Sequence, residues 1–171
     1  MQPPAIPEIL WFKTVYVIAE DRLRLSCALK GGESDGLWLT QRMTNALVKK
    51  LVEWLDKTSV QDKRFADHTH RAAQQSAMSK RPKRPPATIA EVEAWLVNAV
   101  DLRTSGQGVM LTFKDKGDRI VCLKFDAQHL RHWLNVLHGQ YRRSGWPTSS
   151  WPDWMAEVAG DRTPADRGLL H

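Results

Sequence analysis

The sequence predicts an α+β fold: two tandem β-β-β-α units, with antiparallel sheet or sheets and helices packed on one face. Three observations predict it. Each half of the chain offers short runs that alternate apolar and polar side chains, as half-buried strands do. Each half then closes on a stripe with helical period. The halves also superpose in register, at an offset of 86 residues in the strands and 87 in the helices.

The first unit covers residues 9–57. Its opening run, Trp11 to Ile18, is rich in β-branched and aromatic side chains. Glu20-Asp21 predicts a turn, and Arg22 to Leu29 then places Leu23, Leu25, Cys27 and Leu29 on one face. Gly31 to Gly36 predicts a loop. A short strand, Leu37-Trp38-Leu39, runs into Thr40, a good N-cap for a helix from Gln41 to about Lys57. Met43, Leu47, Leu51 and Trp54 form its core stripe. Val48, Val52 and Leu55 widen its apolar arc beyond what one sheet needs, which points to a further partner.

Residues 58–87 form a basic linker. Lys80-Arg81-Pro82-Lys83-Arg84-Pro85-Pro86 is incompatible with helix or central strand. Before it, Asp62 to Met78 allows a helix with a thin stripe of Phe65, Thr69, Ala72 and Ala73.

The second unit covers residues 88–143. Thr88-Ile89-Ala90-Glu91 has the form of a capping box and predicts at most a short helical turn. A strand from Trp95 to Leu102 follows, and Gly106-Gln107-Gly108 predicts a turn. Val109, Leu111 and Phe113 then alternate with polar neighbours, as do Val121, Leu123 and Phe125 after a Lys116-Gly117-Asp118 turn. Asp126 caps a helix carrying Leu130, Trp133, Leu134, Leu137 and Tyr141, flanked by Arg131, His132, His138 and Arg142. Leu23, Leu25 and Cys27 thus fall on Val109, Leu111 and Phe113, and Met43, Leu47 and Trp54 fall on Leu130, Leu134 and Tyr141. Residues 144–171 make an arm with Trp146-Pro147 and Trp151-Pro152 followed by a polar tail. The arm is too apolar to hang free, so it packs back or docks on a partner.

The composition, 42% hydrophobic and 26% charged over 171 residues, is that of a globular chain. No apolar stretch reaches bilayer length, and Met1 to Pro7 lacks the features of a secretory signal. Two cysteines do not make a disulfide framework, so a reduced cytoplasmic setting is expected. The formal charge of +6 concentrates in the linker, where residues 61–87 carry seven basic and two acidic side chains.

Chemistry-bearing patterns are sparse. His68 and His70 in the linker, and His129 and His132 on the second helix, lack the third and fourth ligand a metal needs, and solvated surface histidine is expected. Cys27 reads as a small core residue, and Cys122 lies on the opposite parity from Val121 and Leu123. No phosphate loop and no acid–base pair stands out, so neither an enzyme nor a cofactor is expected. Tryptophan is the unusual residue, with eight copies. Trp38 faces away from Leu37 and Leu39, toward a second layer, another subunit or a base.

Tandem strand-rich units each closed by one helix, over residues 9–57 and 92–143, resemble the general plan of the PUR-type and Whirly-type single-stranded nucleic-acid binders. The resemblance rests on element order, with three strands per unit here and four in those families. It implies sheets that present aromatic and basic side chains, and helices that pair the repeats; no residue role carries over.

Two functions are therefore expected. The first is a non-enzymatic interaction module, a homodimer or part of an assembly, with Val48, Val52, Leu55, Trp146, Trp151 and Trp154 at the partner interface. The alternative is a single-stranded nucleic-acid binder, with Trp38 stacking on bases and Arg22, Arg24, Lys80, Arg81, Lys83, Arg84 and Lys124 on phosphates.

Overall fold

The computed structural model describes residues 2–59, 63–80 and 89–155. They form strands β1 (Glu8–Val17), β2 (Arg22–Leu29) and β3 (Ser34–Leu39), helix α1 (Gln41–Ser59), a 3-10 turn (Lys63–Phe65) and helix α2 (Ala66–Ser79). Strands β4 (Trp95–Leu96), β5 (Ala99–Thr104), β6 (Val109–Lys114) and β7 (Ile120–Phe125) follow, then helix α3 (Ala127–Ser144). The fold is mixed α+β. Two compact bodies are present among the described residues: one spans 2–47 and 89–126, the other 48–59, 63–80 and 127–155.

The first body is one seven-stranded sheet in the order β4-β3-β2-β1-β7-β6-β5. Strands from both halves of the sequence share it. The expected antiparallel sheet is corrected to a mixed one, because β1 pairs with β7 and β3 with β4 in parallel. Local hairpins explain the antiparallel pairs; the parallel ones join strands distant in sequence, which no hairpin turn specifies.

The sheet curls. Its terminal strands β4 and β5 are separated in the chain by Val97 and Asn98 alone. Seven flat strands would hold their edges about 29 Å apart, whereas the link from Leu96 to Ala99 spans at most about 10 Å. The edges therefore meet at this link. The Val97 N–H donates to the Trp38 carbonyl at 3.1 Å, and the Asn98 N–H to the Lys114 carbonyl at 2.8 Å. The strand expected over Trp95 to Leu102 is thus broken into two, each half serving a different edge.

Register assigns every side chain to a face. Leu23 pairs with Leu39 and Leu25 with Leu37, while Leu111 pairs with Leu123 and Phe113 with Val121. All of these are buried. In β1 the pairing slips between Ile9 and Trp11, so that Ile9 and Phe12 lie on the same face. Phe12 then meets Phe125 edge-on, with ring centroids 5.9 Å apart. Thr40 caps α1 as expected, its Oγ1 accepting from the Met43 N–H at 3.2 Å.

Residues 89–94 are neither helix nor strand, so the helical turn expected after Thr88 is absent from them; Thr88 itself lies outside the described residues. This segment crosses the sheet at Gly36. A side chain there would place its Cβ 3.1 Å from the Ala94 Cα, a tight approach that would push the crossing segment back by a few tenths of an ångström.

The second body contains the later part of α1, with α2, α3 and the arm. Val48, Leu51, Trp54 and Leu55 are buried, as are Leu130, Trp133, Leu134, Leu137 and Tyr141. α3 ends at Gly145, whose φ of 75° and N–H bond to the Tyr141 carbonyl at 3.1 Å form a left-handed cap. The arm then packs back: Trp146 and Trp151 both meet the Tyr141 ring edge-on at 5.2 Å. Among the described residues no helix is long and apolar enough to cross a membrane.

Candidate functional site

Among the described residues, two places bring chemistry-bearing side chains together. One is the face of the sheet opposite the buried leucines. On β1 this face carries Trp11, Lys13, Val15 and Val17; on β2 Arg22, Arg24, Ser26 and Ala28; on β3 Gly36 and Trp38. From Trp11 to Trp38 it holds three cations, two indoles and no carboxylate. Lys13 is exposed, while Trp11, Arg22, Arg24 and Trp38 are half-buried.

Arg24 and Trp38 are directly cross-strand, and the guanidinium sits 5.4 Å from the indole centroid. That cation–π contact is worth about 0.5–2 kcal/mol and orients both groups. Arg24 also donates through Nη2 to the Val92 carbonyl and through Nε to Ser26 Oγ at 3.4 Å. Arg24 is therefore a tether for the crossing segment as well as a surface cation. The remaining half of this face is more nearly neutral. Lys124 lies 3.6 Å from Glu8, and Lys114 lies 2.5 Å from Asp101.

Of the other residues expected to contact phosphate, Lys80 is exposed at the end of α2 and donates to Gln128 at 3.4 Å. Arg81, Lys83 and Arg84 lie outside the described residues. Lys13 and Trp11 were missing from that expectation. Their alternation with Phe12, Thr14 and Tyr16 carries the signal that places them on this face.

The second place is a buried polar cluster in the helical body. It corrects the expectation of solvated histidine for His70, which is 1% exposed, while His68 and His129 are exposed as expected and His132 is half-buried; His138, expected to flank the α3 stripe, is 4% exposed. It also corrects the expected stripe on α2: Phe65 is 61% exposed, and the helix buries His70, Gln74 and Ala77 instead. Arg131, expected to flank α3, is 3% exposed. His70 Nε2 is 2.6 Å from the Asp56 carboxylate, and Arg131 Nη2 is 3.1 Å from His70 Nδ1. Gln74 donates to the Arg131 carbonyl at 2.9 Å. The indole of Trp154 stacks on the His70 ring at 4.6 Å and 12°.

An arginine only donates, so His70 Nδ1 must be the acceptor and Nε2 must carry the proton, through which it donates a hydrogen bond to Asp56. Both ring nitrogens are thereby committed. No lone pair is left to act as a general base, and the cluster reads as structural.

The thiols are equally inert. Burial pushes Cys27 up to about 12 and raises Cys122 also. Both are free and buried, and the nearby carboxylates of Asp35 and Glu8 further disfavour the thiolate. Among the described residues no three His, Cys, Asp or Glu side chains group as a metal set.

Most of the residues expected at a partner interface are buried within the chain. Val48, Leu55, Trp146, Trp151 and Trp154 are buried, and Val52 is half-buried. The arm takes the first of its two expected courses, packing back on its own body. No protein-family model matches this chain, and neither does any curated protein or solved structure.

Proposed function

We propose that this chain is a non-enzymatic binder of single-stranded nucleic acid, which it contacts through the β1–β2–β3 face opposite its core. The observation that carries the reading is the co-placement of Lys13, Arg22 and Arg24 with Trp11 and Trp38, without an intervening carboxylate. Cations neutralise phosphates and release counterions, while each base stacked on an aromatic ring contributes about 1–3 kcal/mol. A face that combines both suits an unpaired strand, whose bases are free to reach the rings.

The homodimer or assembly reading is less well supported, because most of its nominated side chains are buried within one chain. We also read the two β-β-β-α runs as a duplication. In its support, the first strand of each run pairs in parallel with the last strand of the other, β1 with β7 and β4 with β3.

The test is fluorescence anisotropy with a labelled oligothymidylate of about 16 nucleotides. Lys13→Glu with Arg22→Glu is expected to weaken binding at least about tenfold, since both reverse charges on this face. Lys124→Glu, beside Glu8, is expected to do less. Equal affinity for the double variant and the parent would remove this face from consideration.

A further inference from the structure

The helical body contains a group whose charge state the surrounding geometry dictates. His70 on α2 is held by three other segments at once: Asp56 from α1, Arg131 from α3 and Trp154 from the arm. Each contact is within bonding or stacking distance, at 2.6, 3.1 and 4.6 Å respectively. The guanidinium of Arg131 is also 5.5 Å from the Trp154 ring centroid and 3.5 Å from Gln74 Oε1. One imidazole therefore sits where four elements converge, and the arm reaches it through a flat stack.

We propose that His70 is a proton-operated clasp for the arm, closed when the imidazole is neutral and opened when Nδ1 takes up a proton. The argument is one of donors and acceptors. In the neutral ring Nε2–H donates a hydrogen bond to Asp56, and the bare Nδ1 accepts one from the Arg131 N–H. A proton on Nδ1 turns the acceptor into a donor and sets two cationic groups 3.1 Å apart in a buried site. Arg131 must then withdraw. Its guanidinium lies 5.5 Å from the Trp154 ring centroid, so its departure removes a contact from the indole and loosens the arm.

The charged groups around His70 come from every helix packed on it. Asp56 of α1 and Asp67 of α2 favour the cation, and Arg131 of α3 opposes it. The arm supplies the Trp154 indole, whose face also favours the cation, a pull that the buried Arg131 charge must exceed. Burial is the largest influence, and it holds the proton affinity of His70 below the ordinary value of 6.5. The sign follows. Above about pH 6.5 the ring is neutral in closed and open states, and the clasp is fully effective. As pH falls below that value the open state takes up a proton that the closed state refuses. Closure is then progressively lost until the closed state also protonates.

The experiment uses the full chain with 5-fluorotryptophan at all eight tryptophans, the Trp154 fluorine resonance being identified by its loss in Trp154→Phe. Imidazole nitrogen spectra follow His70 in the same samples between about pH 7.5 and about pH 5. The clasp predicts a protonated Nε2 and a bare Nδ1 at neutral pH. It then predicts that the Trp154 resonance shifts in step with His70 while that of Trp133, buried on α3, stays still. In His70→Gln, whose amide offers one acceptor and one donor but does not titrate, Trp154 is expected to hold its position over the same range. A proton on Nδ1 at neutral pH overturns the proposal. So does a Trp154 resonance that ignores the His70 titration, or one that moves equally in His70→Gln. If His70→Gln does not fold, the tautomer and the joint titration in the parent chain decide the matter alone.

Discussion

Truncating Phe113 to alanine is expected to lower the unfolding free energy by about 3–5 kcal/mol. Phe113 has no exposed surface and lies on β6, between Val100 of β5 and Val121 of β7. Removing the ring deletes its transfer energy and leaves a cavity that paired strands on both sides cannot close. The next residue, Lys114, accepts the Asn98 N–H that ties down one edge of the curled sheet. For a chain of this size the expected fall in Tm is about 6–20 °C, readable by thermal unfolding. Phe113→Leu, which refills most of the volume, is expected to cost distinctly less. Equal losses for the two variants would mean that the ring is not packed as described.

Arg131→Leu is expected to destabilise by about 2–4 kcal/mol. The leucine fills much of the space but leaves His70 Nδ1 and Gln74 Oε1 without their donor in a buried site. The loss is largely that of abandoned acceptors. The double variant His70→Ala with Arg131→Leu should therefore lose less than the sum of the single variants. Urea unfolding at about pH 8, where both histidine states are neutral, separates this effect from titration. Strict additivity would show that the two side chains do not act on each other. Because Arg131 also opposes the charged form of His70, its removal is expected to raise the histidine's proton affinity.

Much of the sheet was legible because parity is a local property. Leu23, Leu25 and Cys27, or Val109, Leu111 and Phe113, declare their face by alternation alone, and the structure buries all six. Trp38 was correctly set against Leu37 and Leu39 for the same reason. What alternation does not carry is the identity of a neighbouring strand. The parallel pairs β1·β7 and β3·β4 join segments far apart in sequence, and the break at Val97-Asn98 is imposed by closure of the sheet. No residue between Trp95 and Leu102 is a breaker.

The helical body was harder to read, for a different reason. A hydropathy stripe picked Phe65, Thr69, Ala72 and Ala73 on α2, yet the helix buries His70, Gln74 and Ala77. Its packing is held by hydrogen bonds to α3, and those come from partners 57 and 61 residues away. Polar side chains that satisfy one another in this way look like surface in a sequence. The candidate binding face shows the same division. Arg22, Arg24 and Trp38 were found by parity, whereas the Arg24 tether to Val92 needed the crossing segment to be seen.

The measurement that bears most directly on nucleic-acid binding compares labelled single strands with duplexes of the same sequence, at about 50 and about 200 mM salt. Stacking on Trp11 and Trp38 predicts tighter binding to the single strand, with a preference that persists at the higher salt. Equal binding to both forms that disappears with salt would contradict it, since that is the behaviour of a plain polycation. So would the absence of binding at either salt.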